Sequence, residues 1–255
     1  MSIGASRVES QLTLLSDNEL THAAERLERI SAKRVPFSEI ALEEGYSSTA
    51  FALAVFRNPK MNSLKAYSDS IYSYLRPEDG DKPRYKEAWS TFRFAAMNKT
   101  AALKEHLRYY QDLAAEARQP FTLNSNVMPP AGLLDEEFEP GLDHKVRASH
   151  LSRDSTINLL TIEVALLRHK KTTGRLPAQL NELSPGLLRT IPIDPLTGSA
   201  NLPYHYKTSN APSGFELYGV GPDMTDHGGK PGKYPGDAGY DIVAGHISRN
   251  RKLFP

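Results

Sequence analysis

Leu20, Ala23, Ala24, Leu27 and Ile30 recur at three- and four-residue intervals, the spacing that places side chains on one face of an α-helix. Ser16 followed three residues later by Glu19 is a capping-box pattern, so a first helix is predicted from Asp17 to about Lys33. Pro36 interrupts. A short helix from Phe37 is expected to stop at Gly45, followed by the apolar segment Ser48 to Arg57 and a tyrosine-bearing helix from Ser63 to Leu75. The polar run Arg76 to Pro83 is a connector. Arg84 to Arg118 contains neither proline nor glycine, and Ala88, Phe92, Ala95, Leu103, Leu107, Tyr110 and Leu113 mark two joined helices breaking near Asn98.

From Gln119 to Ala148 the chain carries Pro120, Pro129, Pro130, Gly132, Pro140 and Gly141, which predicts a long connector and hence a boundary or a wrapping segment. Beyond it, Ile157, Leu160, Val164 and Leu167 share a helical stripe widened by Leu159, Ile162 and Leu166. Asp154 or Ser155 is the expected cap. Arg168, Lys170 and Lys171 suit the last turn, and Gly174 ends the helix. A short helix is then expected from Pro177 to Leu183, with strands at Tyr204 to Lys207, Phe215 to Val220 and Tyr240 to Val243. The reading is an α+β chain: a helical region over 1–118, a connector over 119–148, and a module over 149–255 made of one buried helix and a small antiparallel sheet.

Composition sharpens that division, because 12 of the 17 glycines and 10 of the 18 prolines lie from Gly174 onward. Glycine and proline punctuate turns, so short strands and ordered loops belong there. With 31 basic and 30 acidic residues, the chain lacks the positive excess of a phosphate-tracking protein, and no nucleic-acid partner is expected. No apolar run approaches the roughly 20 residues that span a bilayer, and the first residues lack the apolar core of a signal peptide. The absence of cysteine excludes disulfides and thiolate chemistry.

Several blocks in fixed order carry a resemblance: a helix running into Thr173-Gly-Arg-Leu-Pro177, then Leu180-x-x-Leu183, Ile191-Pro-Ile-Asp-Pro-Leu-Thr-Gly198, Tyr204-x-Tyr206, Phe215-Glu-Leu-Tyr-Gly-Val-Gly-Pro-Asp223 and Tyr240-Asp-Ile-Val243. From Thr156 to Val243 the chain resembles the globular part of the major pseudopilin of type II secretion systems. More loosely, the whole chain resembles uncharacterised envelope-protein families of planctomycete-type bacteria. The resemblance implies a cell-envelope or periplasmic protein. The apolar N-terminal helix that anchors a pseudopilin and builds its filament has no counterpart ahead of Thr156, so a small, non-polymerising species is expected. There are also 17 residues between Asp223 and Asp241, more than pseudopilins place between the corresponding acidic positions.

Asp223, Asp226, Asp237 and Asp241 lie among Gly221, Gly228, Gly229, Gly232, Gly236 and Gly239. By residue type, this segment is either an oxygen-rich cradle for a hard cation or a solvated Asp/Gly turn. The pseudopilin resemblance implies calcium, on Asp223 and Asp241 first and on Asp226 and Asp237 after them. Asp194, between Ile193 and Pro195, is the expected anchor of a structural turn. His144, His150, His205 and His227 have no HExxH-type spacing, no serine lies in Gly-x-Ser-x-Gly, and no glycine-rich phosphate loop opens a helix. The Lys60 to Lys65 segment is a helix entry, and Tyr67, Tyr72, Tyr74, Phe92, Phe94, Tyr109 and Tyr110 are expected to pack. The functional expectation is a non-enzymatic envelope or interaction protein with protein partners. The alternatives are a metal-assisted hydrolase using the Asp/His-bearing loop, or a secretion-apparatus subunit whose anchor lies elsewhere.

Overall fold

The computed structural model describes residues 12–57, 96–129, 142–210, 213–233, 237 and 239–244. The expected helix from Ser63 to Leu75, the connector after it, the Lys60 to Lys65 segment, and residues 84–95 with Phe92 and Phe94 lie outside the described residues. So do Tyr67, Tyr72 and Tyr74.

Helix α1 spans Asp17–Ala32 and opens with the capping box read from the sequence. The Ser16 amide donates to Glu19 Oε2 at 2.7 Å and the Glu19 amide donates to Ser16 Oγ at 3.3 Å, which satisfies two amides of the open first turn. Leu20 and Leu27 are its buried residues. Helix α2 spans Phe37–Arg57 without a break, where the sequence predicts a stop at Gly45. That glycine serves packing: a Cβ built there would lie 2.5 Å from Tyr110 Cβ, so its bare backbone lets the tyrosine of the crossing helix approach. The crossing helix is α3, Lys99–Ala117, which starts at the break expected near Asn98; the Asn98 side chain caps it, accepting from the Ala101 amide at 3.1 Å. Ala41, Tyr109, Tyr110, Leu113 and Ala114 form the core between α2 and α3.

Helix α4 spans Leu142–Thr173 and begins well before the expected cap at Asp154 or Ser155. Residues 142–154 contain no proline or glycine, and two hydroxyls around the expected cap bond back onto the helix. Ser152 donates to the Ala148 carbonyl and Thr156 to the Ser152 carbonyl, each at 2.8 Å. The helix also has something to pack on. Phe121, 2% exposed, stacks on the His144 ring at 5.0 Å and lies under the Arg147 guanidinium at 5.5 Å. The Gly174 amide donates to the Lys170 carbonyl at the end of α4, where the sequence places the stop.

After α4, the expected second helix is a single 3-10 turn, Leu180–Leu183, and a further 3-10 segment occupies Pro195–Ala200. Strands β1 (His205–Thr208), β2 (Phe215–Gly219) and β3 (Ile242–Val243) form an antiparallel sheet in the order β1-β2-β3. Tyr206 pairs with Leu217, and Tyr218 with Val243. Alternation along β2 turns Phe215, Leu217 and Gly219 inward and leaves Glu216 and Tyr218 on the outer face. The chain is α+β.

Two compact units divide it: Met1–Val35, Pro120–Asn124 and Asp143–Pro255 form one, and Pro36–Gln119 with Ser125–Leu142 form the other. These limits differ from a simple division at 118 and 149. Leu20, Leu27 and Phe121 join Leu159, Ile162, Leu166, Leu217 and Ile242 in one core, so α1 belongs with the module. The α2–α3 pair is inserted between α1 and α4 in the sequence.

Candidate functional site

The outer end of the sheet gathers most of the chemistry anticipated in the sequence, and its foundation is Asp194. The Asp194 side chain is almost wholly buried. Its Oδ1 accepts from the Leu196 amide at 3.1 Å, which caps the Pro195–Ala200 turn, and its Oδ2 accepts from the Val220 amide at 2.8 Å, at the end of β2. The turn expected at Pro192 to Gly198 therefore also ties two distant parts of the chain together. Burial pushes the Asp194 carboxyl above its ordinary range, with the two amide bonds pulling the other way. Gly219 makes the approach possible, since a Cβ there would lie 2.6 Å from Asp194 Oδ2 and 2.8 Å from the Tyr204 ring.

Beneath it, the Tyr204 hydroxyl donates to Ser155 Oγ at 3.1 Å. Burial and then the neighbouring Asp194 charge push the Tyr204 hydroxyl far above its ordinary range, so it stays protonated. Sequence reasoning gave Ser155 the role of a helix cap. The missed signal was periodic: Ser155 precedes Leu159, Ile162 and Leu166 at helical spacing, which puts it on the buried face of α4 and demands an internal partner.

The four aspartates singled out in the sequence all fall within the segment from the end of β2 to β3, and each has its own local setting. Asp241 is buried. Its Oδ1 and Oδ2 accept from the His227 amide at 3.2 and 3.0 Å, and Oδ2 also accepts from the Gly229 amide at 2.7 Å. Asp223 accepts from the Thr225 amide at 3.2 Å through Oδ1 and from the Gly239 amide at 2.9 Å through Oδ2. Asp226 accepts from the Gly228 amide at 2.7 Å, and this bond is the main reason its carboxyl is held below the ordinary range. Asp237 lies against Gly232, where an added Cβ would be 2.8 Å from Asp237 Cβ.

Two histidines enter this network. The His227 imidazole stands between the two aspartates expected to lead a calcium site, with Nε2 3.7 Å from Asp223 Oδ2 and Nδ1 3.8 Å from Asp241 Oδ1. Nδ1 is also 3.0 Å from the Thr225 carbonyl, so in the tautomer that carries a proton there it donates to that oxygen. His205 stacks flat on Tyr218 with ring centres 4.7 Å apart and brings Nε2 to 3.7 Å from Asp226 Oδ2. His150 lies apart, 3.7 Å from Asp154 on α4.

Calcium takes six to eight oxygens at about 2.3–2.6 Å. An ion shared by Asp223 and Asp241 would need the space held by the His227 ring, and the carboxylate oxygens it would use already accept backbone N–H groups. Among the described residues, no three histidine, aspartate or glutamate side chains converge as a metal ligand set. The residues as arranged do not fit a shared calcium ion.

A second polar pairing lies in the α2–α3 unit, where Ser48 Oγ is 2.9 Å from His106 Nε2. Ser48 Oγ is also 2.6 Å from the Glu44 carbonyl; with the hydroxyl proton on that carbonyl, the His106 tautomer carrying Nε2–H is the donor to Ser48 Oγ. The contact joins two helices. Compared with known proteins, the chain matches no family model, no curated protein and no solved structure.

Proposed function

We propose that the chain is a non-enzymatic interaction protein of the bacterial envelope, built on a pseudopilin-like module that works through protein partners. The observation that carries this reading is the architecture around Asp194. A long helix is followed by an Asp-Pro turn whose carboxylate reaches the end of the central strand of a three-stranded antiparallel sheet. This is the block order on which the resemblance rests, now folded into one core. Among the described residues, no helix is long and apolar enough to cross a membrane.

The hydrolase alternative has three carboxylate–imidazole contacts in its favour, His205 with Asp226 and His227 with Asp223 and Asp241. They measure 3.7 and 3.8 Å, beyond the roughly 2.6–3.2 Å reach of a proton-transfer pair. The carboxylates themselves are engaged by backbone amides. Both points favour a structural loop over a catalytic one. The experiment is in-cell crosslinking of the tagged full chain in its native bacterium, with fractionation of the envelope. Recovery in the envelope fraction, crosslinked to pilin-like or secretion-machinery subunits, is the expected result. Recovery in the cytoplasm without such crosslinks, or turnover of ester or phosphoester substrates by the purified protein, would overturn the reading.

A further inference from the structure

We propose that the described residues of the Asp/Gly loop between Gly221 and Asp241 are held by their own carboxylates and amides in place of a calcium ion, with the His227 imidazole between the two aspartates that a shared ion would bridge. The inference goes beyond the interaction role and does not depend on it.

The loop faces the same physical problem with or without an ion. Asp223, Asp226 and Asp241 bring negative charge into a short segment, and a glycine-rich backbone offers little side-chain packing to hold it. Backbone N–H groups can neutralise a carboxylate by direct donation, and such charge-assisted bonds are the strong ones. The structure supplies five such donors to three carboxylates: the amides of Thr225 and Gly239 to Asp223, those of His227 and Gly229 to Asp241, and that of Gly228 to Asp226. The bonds also do the topological work of an ion. Asp223 at the start of the loop holds Gly239 near its end, and Asp241, next to β3, holds His227 and Gly229 in its middle. Further support comes from the Asp241 amide, which donates to the Lys230 carbonyl at 2.9 Å, and from the Lys230 ammonium, 5.1 Å from the Tyr240 ring centre.

The test uses the full chain. Thermal melting and backbone hydrogen exchange are compared in calcium, in magnesium and in chelator. Superimposable melting curves are expected, with the amides of Thr225, His227, Gly229 and Gly239 equally protected in all three. Asp241→Asn should lower the melting temperature by the same amount in calcium and in chelator, and should make the His227 and Gly229 amides exchange roughly ten- to a hundredfold faster, as loss of a charged hydrogen bond predicts. Wild-type exchange reads the same amides should the variant fail to fold. A melting temperature that rises with calcium, and a rise that Asp223→Ala abolishes, would overturn the proposal and restore the ion. So would fast exchange of these amides in chelator.

Discussion

Asp194 shows how much one side chain can hold. Replacing it by alanine leaves the Leu196 and Val220 amides buried without their acceptor, and each such group costs about 1–3 kcal/mol. Asp194→Ala should therefore destabilise the protein by roughly 2–6 kcal/mol in urea unfolding. Its pH dependence has a definite sign. Burial raises the folded-state value of the carboxyl. A group raised in this way contributes stability below its unfolded value and loses it as pH rises through the folded value. Asp194→Asn cannot ionise. The stability difference between wild type and this variant should shift against wild type as pH climbs through the carboxylate range, and a difference that shifts the other way would mean the two amide bonds outweigh burial. Gly45 poses the opposite case of a missing side chain. Alanine gains about 1 kcal/mol of helix propensity, but its Cβ would meet Tyr110 at 2.5 Å, and overpacking costs about 1–3 kcal/mol. Gly45→Ala should lower the melting temperature.

At the scale of elements, the beginning of α4 depends on a residue outside the helix. The apolar stripe read from the sequence starts at Ile157, and residues 143–156 before it carry only Val146, Ala148 and Leu151 as apolar residues, the last two packed against the core. Phe121 gives them a reason to be helical by sitting between His144 and Arg147. Phe121→Ala removes a buried ring at a cost of about 3–5 kcal/mol. Amides at 146–152 should then lose protection while those at 160–168, packed on the sheet core, keep theirs. Phe121→Leu retains apolar volume and should sit between wild type and alanine in the same measurement. The strands behave differently, because each was placed within a residue or two by its own alternation and by flanking turns. Their register came from partners across the sheet, Tyr206 with Leu217 and Tyr218 with Val243.

For the whole molecule, the consequential question is which segments fold together. The sequence suggests that a fragment beginning near Ser149 folds alone, because its blocks match a module that is complete elsewhere. The core contains Leu20, Leu27 and Phe121, none of which such a fragment carries. A fragment spanning 149–255 should therefore give a poorly dispersed NMR spectrum, and Leu20→Ala in the full chain should cost about 2–5 kcal/mol. A well-dispersed fragment spectrum would show that α1 only covers a core already complete. What the sequence determined by itself was local: the Ser16 capping box, the break near Asn98, the stop at Gly174, the Asp194 turn and the strand positions all follow from residues within a few places of one another. Tertiary structure decided whatever depended on a distant neighbour. Gly45 continues a helix because Tyr110 crosses it, Ser155 is buried because Tyr204 reaches it, and Asp223 and Asp241 flank an imidazole because β3 brings the loop's ends together. Local rules govern one turn of chain, whereas these outcomes were set by which surfaces met once the chain had closed on itself.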